Sequence, residues 1–134
     1  MKAIKILVIL AVVYVGVVVV FESLLGYFQP TSEATLVIST FEADGTQHDR
    51  VVTRINSDDQ LYVAVNHWPR AWFHRALDNP AVEISIDGET GPYNAVQIEG
   101  DEFARVDAER PLGPIFRILT GFPPRHIMRL DPQT

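Results

Sequence analysis

Apolar residues open the chain in one long run and then give way to short alternating stretches. Residues 6–21 carry no charged or strongly polar side chain, and the run continues through Glu22 and Ser23 to Phe28. That length is close to the ~20 residues that a helix needs to cross the hydrocarbon core of a bilayer. A backbone in lipid must satisfy its own hydrogen bonds, so even this valine-rich sequence is expected to be helical there. The pattern predicts a transmembrane anchor and linker over 1–30 and a folded domain over 31–134.

A cleaved signal peptide is the alternative interpretation of the N-terminus. The apolar run exceeds the usual ~7–15 residues of a signal peptide, and no clear A-x-A cleavage site follows it, so we favour the anchor. Lys2 and Lys5 precede the run, and the next basic residue is Arg50. The excess of cytoplasmic positive charge in membrane proteins then predicts a single-pass membrane protein with a cytoplasmic N-terminus and an extracytoplasmic domain.

Short β-type segments occupy much of the remaining chain. Alternating or β-branched composition predicts strands over residues 34–41, 49–55, 60–65, 81–86, 93–98 and 125–130. Asp-Gly pairs at 44–45 and 87–88 and a polar cluster at 56–59 indicate the turns between them. A turn at 99–101 leads to a further extended segment at 102–106, which brings the count to six or seven strands. Closing such a sheet removes its exposed edges, so we expect a small barrel.

The segment HWPRAWFHRALDNPAVEI, residues 67–84, departs from this alternation. Pro69 suits the first turn of a helix, and Asn79-Pro80 ends one. At helical spacing Trp72 and Leu77 are expected to face a barrel pocket, while Arg70 and Arg75 are expected in solvent. A second short helix is predicted over 114–119. The predicted fold is therefore mainly β (α+β), with an N-terminal transmembrane helix followed by a small split β-barrel and one or two short helices.

Composition excludes several function classes. The net charge of −6 and the pI of about 5.1 argue against a nucleic-acid partner. The chain has no cysteine, which excludes disulfides, iron–sulfur clusters and thiolate nucleophiles. The four histidines do not have the spacing of a metal site, and no metal is expected. Sequence motifs of hydrolases and nucleotide-binding enzymes are also missing, so any redox catalysis would depend on a bound cofactor.

Arginine is the basic residue of the folded domain. Its planar guanidinium grips phosphate or carboxylate groups in pairs of hydrogen bonds, which suits an anionic ligand. Scattered surface ion pairs are the alternative explanation for most of these arginines. Arg70 and Arg75 adjoin a predicted helix start, where free N–H groups also favour an anion. Trp72 and Phe73 either pack in the core or stack on a planar ring, and Trp68 lies in the preceding loop.

Trp72-Phe73-His74 followed by Asn79-Pro80 resembles the W-Y-H-N-L-x-A-N-P segment of the deazaflavin-dependent nitroreductase family. That family has the split β-barrel of flavin-binding, pyridoxamine-phosphate-oxidase-like proteins, and the resemblance covers roughly residues 36–132. The loop before the motif, residues 66–70, has no glycine or lysine where the family has both. Of the family's arginine-containing phosphate-binding segment, Arg50 and Arg54 are the counterparts here.

The resemblance implies a membrane-anchored oxidoreductase that uses a bound deazaflavin or flavin mononucleotide (FMN) to reduce a small lipophilic acceptor, a quinone or nitro compound. Arg50, Arg70 and Arg75 would hold the anionic tail of the cofactor, and Tyr62 and Trp68 would flank its ring. No catalytic residue is assigned. The candidate cofactor-binding residues are Arg50, Arg54, Tyr62, Asn66, His67, Trp68, Arg70, Trp72, His74 and Arg75.

A non-catalytic split barrel, either a ligand-binding or a scaffold protein of the membrane, is the second hypothesis. Its support is the incomplete family motif, together with a predicted topology that faces away from the cytoplasm, where deazaflavin is made. Split barrels of this superfamily are often dimers that share cofactor sites, which leaves the choice between monomer and homodimer open. The colour of the purified protein would distinguish the two hypotheses.

Overall fold

The computed structural model describes residues 1–28, 34–66 and 68–133 as a long N-terminal helix, a six-stranded barrel and three short helices. The α+β class predicted from the sequence is confirmed. The strands are β1 (Thr35–Phe41), β2 (Gln47–Ser57), β3 (Gln60–Val65), β4 (Ala81–Ile86), β5 (Glu89–Gln97) and β6 (His126–Pro132). The helices are α1 (Lys2–Tyr27), α2 (Ala71–Asp78), α3 (Gly100–Glu109) and α4 (Pro114–Thr120).

The six strands close on themselves in the order β1-β2-β3-β6-β5-β4. Every neighbouring pair is antiparallel, and β1 completes the barrel by pairing with β4. Tight turns set the register of two hairpins. Asp58 and Asp59, and likewise Asp87 and Gly88, all have positive φ angles between 52° and 85°. Positive φ at both central residues matches the natural twist of a two-residue hairpin.

Both faces of β3 are buried, which explains why its sequence is almost wholly apolar. Val63 and Val65 belong to the cluster that fills the barrel interior. Tyr62 and Ala64 alternate with them and belong to a second cluster on the outer face. Successive side chains of a strand point to opposite faces, so β3 contributes to both cores.

Helix α2 completes the interior cluster. Trp72, Phe73 and Ala76 are buried there, so the inward position predicted for Trp72 is confirmed and Phe73 packs in the core. Leu77 was expected inside, but it is 40% exposed, because α2 buries a face narrower than the full apolar set. Arg70 and Arg75 were expected in solvent and are instead half-buried.

Residues 102–106 form part of α3, so the expectation of an extended segment there was wrong. Phe103 and Val106 are three residues apart and both pack in the outer cluster, which is helical rather than alternating spacing. Asp101 and Glu102 lie in the first turn of the helix, where negative charge is favourable. The helix covers the outer face of β3 and explains why Tyr62 is buried.

Candidate functional site: the arginine cleft

An arginine-lined cleft lies between the start of β2 and the start of α2. It has a volume of about 460 Å³ and is called the arginine cleft here. The residues that line it are Gln47, His48, Asp49, Arg50, Arg70, Ala71, Trp72 and Arg75. Four of the predicted cofactor-binding residues, Arg50, Arg70, Trp72 and Arg75, therefore come together, although 25 positions separate the first from the last.

Two of these arginines contact the C-terminal end of α1. Arg50 donates from Nη2 to the carbonyl oxygen of Leu25 at 3.2 Å and from Nη1 to that of Gly26 at 3.0 Å. The last carbonyls of a helix have no partner within the helix and carry its negative dipole end, so a guanidinium is well placed there. Arg50 thus caps α1 as well as lining the cleft.

Arg70 joins α1 through a carboxylate. Its Nη2 lies 3.0 Å from Oε2 of Glu22 and also donates to the Glu22 carbonyl oxygen. The other carboxylate oxygen of Glu22 accepts the backbone N–H of Trp68 at 3.2 Å. Glu22 is only 8% exposed, so this ion pair is largely screened from water. It fixes the end of α1 to the loop that leads into α2.

Arg75 differs from Arg70 in its partner. Its Nε donates to Oγ1 of Thr40 at 3.0 Å, and Thr40 is fully buried. Within the described part of the chain neither Arg50 nor Arg75 has a carboxylate within 4 Å. Burial, and next the charge of Arg70, lower the pKa of Arg50. An anion bound between the guanidinium groups of Arg50 and Arg70 would relieve the repulsion between them.

Three buried side-chain nitrogens of residues that line the cleft have no hydrogen-bond partner among the residues that the structure describes. They are Nε1 of Trp72, Nε of Arg70 and Nε2 of His48, the last of which lies 3.3 Å from Oε2 of Glu42. Buried polar groups in native proteins are nearly always paired, so an unpaired indole N–H beside a cleft calls for an explanation such as a ligand. Trp72 also lines a second, smaller pocket of about 240 Å³ beneath the end of α1, together with Arg50 and Asn66.

Asp49 is the acidic residue of the cleft. Its Oδ1 accepts from Nε2 of Gln47 at 2.8 Å and from Oγ of Ser39 at 2.7 Å. These hydrogen bonds, that of Gln47 first, lower the pKa of Asp49, which therefore stays ionised. No guanidinium nitrogen of Arg50, Arg70 or Arg75 lies within 4 Å of the Asp49 carboxylate in the described structure, so Asp49 does not neutralise the cleft arginines.

The remaining predicted residues lie elsewhere or outside the described residues. Arg54 and Asn66 line a separate cavity of about 450 Å³ that also contains Arg110 and Arg125. Asn66 additionally lines the pocket of about 240 Å³ that Trp72 and Arg50 share. Trp68 is 45% exposed, and its indole lies close to Gly121. His74 is exposed on α2, with its ring edge-on to Phe73. His67 lies outside the described residues.

Tyr62 is on the outer face of the barrel. Its hydroxyl donates to Oε2 of Glu102 at 2.8 Å and accepts from Nη2 of Arg105 at 3.2 Å. Burial, and then the hydrogen bond to Glu102, raise the pKa of Tyr62, which stays a neutral donor. Glu102 also accepts from Arg129 at 2.9 Å. This network joins α3 to β3 and β6 and lies away from the arginine cleft.

Two residues of the site were missed by sequence reasoning. Glu22 and Thr40 hold Arg70 and Arg75, respectively. Glu22 did carry a signal, because it is the one acidic residue in the apolar run and a charge near the end of such a run usually has a partner. Thr40 carries no signal of its own in an apolar strand.

The described residues contain no group of three or more histidine, aspartate or glutamate side chains that could hold a metal ion. The chemistry that the geometry offers is recognition of an anion by two guanidinium groups and an indole N–H.

Comparison with known proteins gives matches by structure alone. No protein-family model matches the chain, and no curated protein matches it. HutZ, the heme storage protein of Vibrio cholerae, is 22% identical with a TM-score of 0.60, over 77% of this chain and 84% of that one. An F420-H2-dependent reductase, FDR-A, is 14% identical with a TM-score of 0.58, over 78% and 99%. A putative pyridoxamine 5'-phosphate oxidase from Listeria innocua is 13% identical with a TM-score of 0.51, over 86% and 94%. The chain therefore shares the barrel fold of these proteins.

Proposed function

We propose that this protein is a membrane-anchored oxidoreductase that binds a deazaflavin or FMN at the arginine cleft and reduces a small lipophilic acceptor, a quinone or nitro compound. The observation that carries the proposal is a set of cleft donors without an anionic partner among the described residues. Arg50 and Arg75 have no carboxylate partner in the described chain, and the buried N–H of Trp72 has no partner there. The likeness in fold to an F420-H2-dependent reductase supports the same choice.

The cleft fits the anionic part of such a cofactor better than its ring. Phosphate or carboxylate oxygens suit Arg75, Arg50 and the Trp72 N–H. Neither Tyr62 nor Trp68, the two residues expected to flank the ring, lines the cleft. When bound, the cofactor would supply the hydride, and the residues of the chain would bind and orient it.

Anchoring in the membrane is the second part of the proposal. Helix α1 has 26 residues, and its apolar part has no buried residue, so it is long and apolar enough to cross a bilayer. Lys2 and Lys5 support a cytoplasmic N-terminus and an extracytoplasmic barrel. An anchored barrel would meet acceptors that dissolve in lipid. The family resemblance to deazaflavin-dependent nitroreductases and the homodimer stay predictions.

A non-catalytic ligand-binding or scaffold protein is the alternative, and one observation favours it. The carbonyl oxygens of Leu25 and Gly26 already occupy Arg50, and Glu22 occupies Arg70. Two of the three arginines therefore hold α1 on the barrel. The likeness in fold to a heme storage protein gives the ligand-binding form of this alternative a concrete candidate ligand.

The test is a titration of the full-length protein in detergent with deazaflavin, FMN and hemin, followed by visible absorption and ring fluorescence. We expect binding of deazaflavin or FMN, and oxidation of the bound reduced cofactor by a lipophilic quinone or nitro compound. Arg75→Ala should weaken cofactor binding by about 1.5–3 kcal/mol, the usual worth of a charge-assisted hydrogen bond. Arg75 suits this test because its hydrogen bond in the described structure goes to Thr40 and not to α1.

Arg110→Ala is the matched control, because Arg110 lines the separate cavity with Arg54 and should leave binding unchanged. Equal affinities for wild type and Arg75→Ala would remove the arginine cleft from the cofactor site. Binding of hemin alone would favour the ligand-binding alternative, and binding of none of the three would favour a scaffold.

A further inference from the structure

Helix α4 and the turn after it expose large apolar side chains. Ile115 is 73% exposed, Ile118 is 49% exposed and Phe122 is 62% exposed. Ile115 and Ile118 are three residues apart and so lie on one side of the helix, whereas Arg117 points to the other. Residues 111–124 contain no aspartate or glutamate. This apolar face is unusual for a helix in water.

The same helix packs against the apolar run of α1. The hydroxyl of Tyr14 donates to the carbonyl oxygen of Ile118 at 2.8 Å. The rings of Phe21 and Phe116 meet edge to face with their centroids 5.9 Å apart. Val18 lies against Gly121, so closely that a Cβ built there would be 3.2 Å from its side chain. The contacts therefore follow α1 over two turns on the N-terminal side of Glu22.

These contacts set the depth of α4 if α1 crosses a bilayer. A helix rises 1.5 Å per residue, so Tyr14 lies about 12 Å from Glu22 along the axis of α1. Glu22 is the first charged residue after Lys5, and its pairing with Arg70 suits the edge of the hydrocarbon core. A helix that contacts Tyr14 and Phe21 then lies within the outer part of that core.

We propose that α4 and Phe122 insert into the lipid leaflet on the barrel side, beside α1. The inference rests on the proposed membrane anchor. The hydrogen bond from Tyr14 to Ile118 supports it, because it satisfies a hydroxyl and a last-turn helix carbonyl that lipid cannot satisfy. Arg117, opposite the apolar face, can extend its guanidinium to the headgroups. Lipid is the fitting occupant because the face is continuous with the exposed apolar surface of α1.

Single-cysteine labelling can test the insertion cleanly, since the chain has no cysteine of its own. Ile115→Cys and Ile118→Cys would each carry an environment-sensitive fluorophore on the full-length protein in phosphatidylcholine–phosphatidylglycerol vesicles. Val12→Cys reports on the span itself. Thr90→Cys, exposed on the β4–β5 hairpin, is the matched control in water. Quenching is measured with lipids spin-labelled near the headgroup and with aqueous iodide on the barrel side.

Insertion predicts that the labels at Ile115 and Ile118 are quenched several-fold more by the spin-labelled lipid than the label at Thr90 and several-fold less by iodide. If they behave like the Thr90 label while the Val12 label is quenched by lipid, the anchor stands and the insertion of α4 is refuted. If the Val12 label is quenched by iodide, the anchor itself fails and the inference with it. If neither quencher affects the labels at Ile115 and Ile118, and unlabelled Ile118→Cys chains form a disulfide with each other, the apolar face of α4 packs against a second copy of the chain and insertion is refuted.

Discussion

The ion pair between Glu22 and Arg70 makes a quantitative prediction about how α1 is held on the barrel. The side chain of Glu22 is 11% exposed and that of Arg70 is 29% exposed, with 3.0 Å between Oε2 and Nη2. Glu22→Ala would leave the guanidinium half-buried without its carboxylate and remove the acceptor of the Trp68 N–H. Glu22→Gln would keep an oxygen for that N–H and remove only the charge.

The size of the effect follows from the burial of the pair. Breaking a fully buried ion pair by removing one partner costs about 3–5 kcal/mol, whereas exposed pairs contribute about 0–1 kcal/mol. Because water still reaches part of Arg70, we expect Glu22→Ala to lower the free energy of unfolding by about 2–3 kcal/mol. The coupling between Glu22→Ala and Arg70→Met should be about 1–2 kcal/mol, since residues in direct contact do not add.

The assay is denaturant unfolding of the full-length protein in detergent, followed by tryptophan fluorescence. Trp68 adjoins the pair and Trp72 lies in the core, so release of α1 should shift the emission before the barrel unfolds. Glu42→Ala is the control, because Glu42 is half-exposed and pairs only with His48 in the described structure. A cost no greater than that of the control, or strictly additive effects of the two substitutions, would refute this account of the contact.

Three further predictions concern other parts of the molecule. Burial alone would raise the pKa of Glu102, but hydrogen bonds from Tyr62 and Arg129 outweigh it and lower the pKa. The ionised Glu102 therefore stabilises the fold above pH ~4.3, and this contribution is lost as the pH falls through the lowered pKa. Glu102→Gln should accordingly flatten the fall in melting temperature between about pH 5 and pH 3. Trp72→Phe should weaken ligand binding by about 1 kcal/mol, because the N–H is lost. In denaturant melts of the ligand-free protein it should cost far less stability than the roughly 3–5 kcal/mol expected for Trp72→Ala. Protease added to intact spheroplasts should digest the barrel, and digestion only after lysis would contradict the extracytoplasmic orientation.

The strands could be predicted from sequence because their signals are local. Residues 60–65 and 81–86 form strands with the predicted bounds, since turn residues and side-chain alternation define each segment by itself. The prediction of an extended segment over residues 102–106 was wrong for a related reason. It is short and mostly polar, and only the apolar pair Phe103 and Val106 indicates helical spacing, which becomes decisive once Tyr62 offers a surface to cover.

The arrangement of the site could be predicted only in part. Helix periodicity and the two prolines placed Arg70 and Trp72 at one helix start, as the structure has them, whereas Arg75, expected there too, lies in the last turn of α2. The partners of these residues are distant in sequence: Glu22 precedes Arg70 by 48 positions and Thr40 precedes Arg75 by 35. Contacts of that range depend on how the barrel closes and where α1 lies, and no local pattern encodes them. Tyr62 shows the converse, because its place on β3 was predicted but its face was not.

The contacts of Arg50 connect the two hypotheses about function. A guanidinium binds a phosphate or carboxylate more strongly than a carbonyl oxygen, because the hydrogen bond is then assisted by both charges. A ligand anion that takes Arg50 must therefore compete with the carbonyls of Leu25 and Gly26. Linkage is reciprocal, so any ligand that loosens the end of α1 is itself bound more tightly when α1 is loosened. Glu22→Ala, which weakens the docking of α1 without touching Arg75, should then raise affinity for an anionic cofactor, whereas a scaffold that binds no anion would show no such gain.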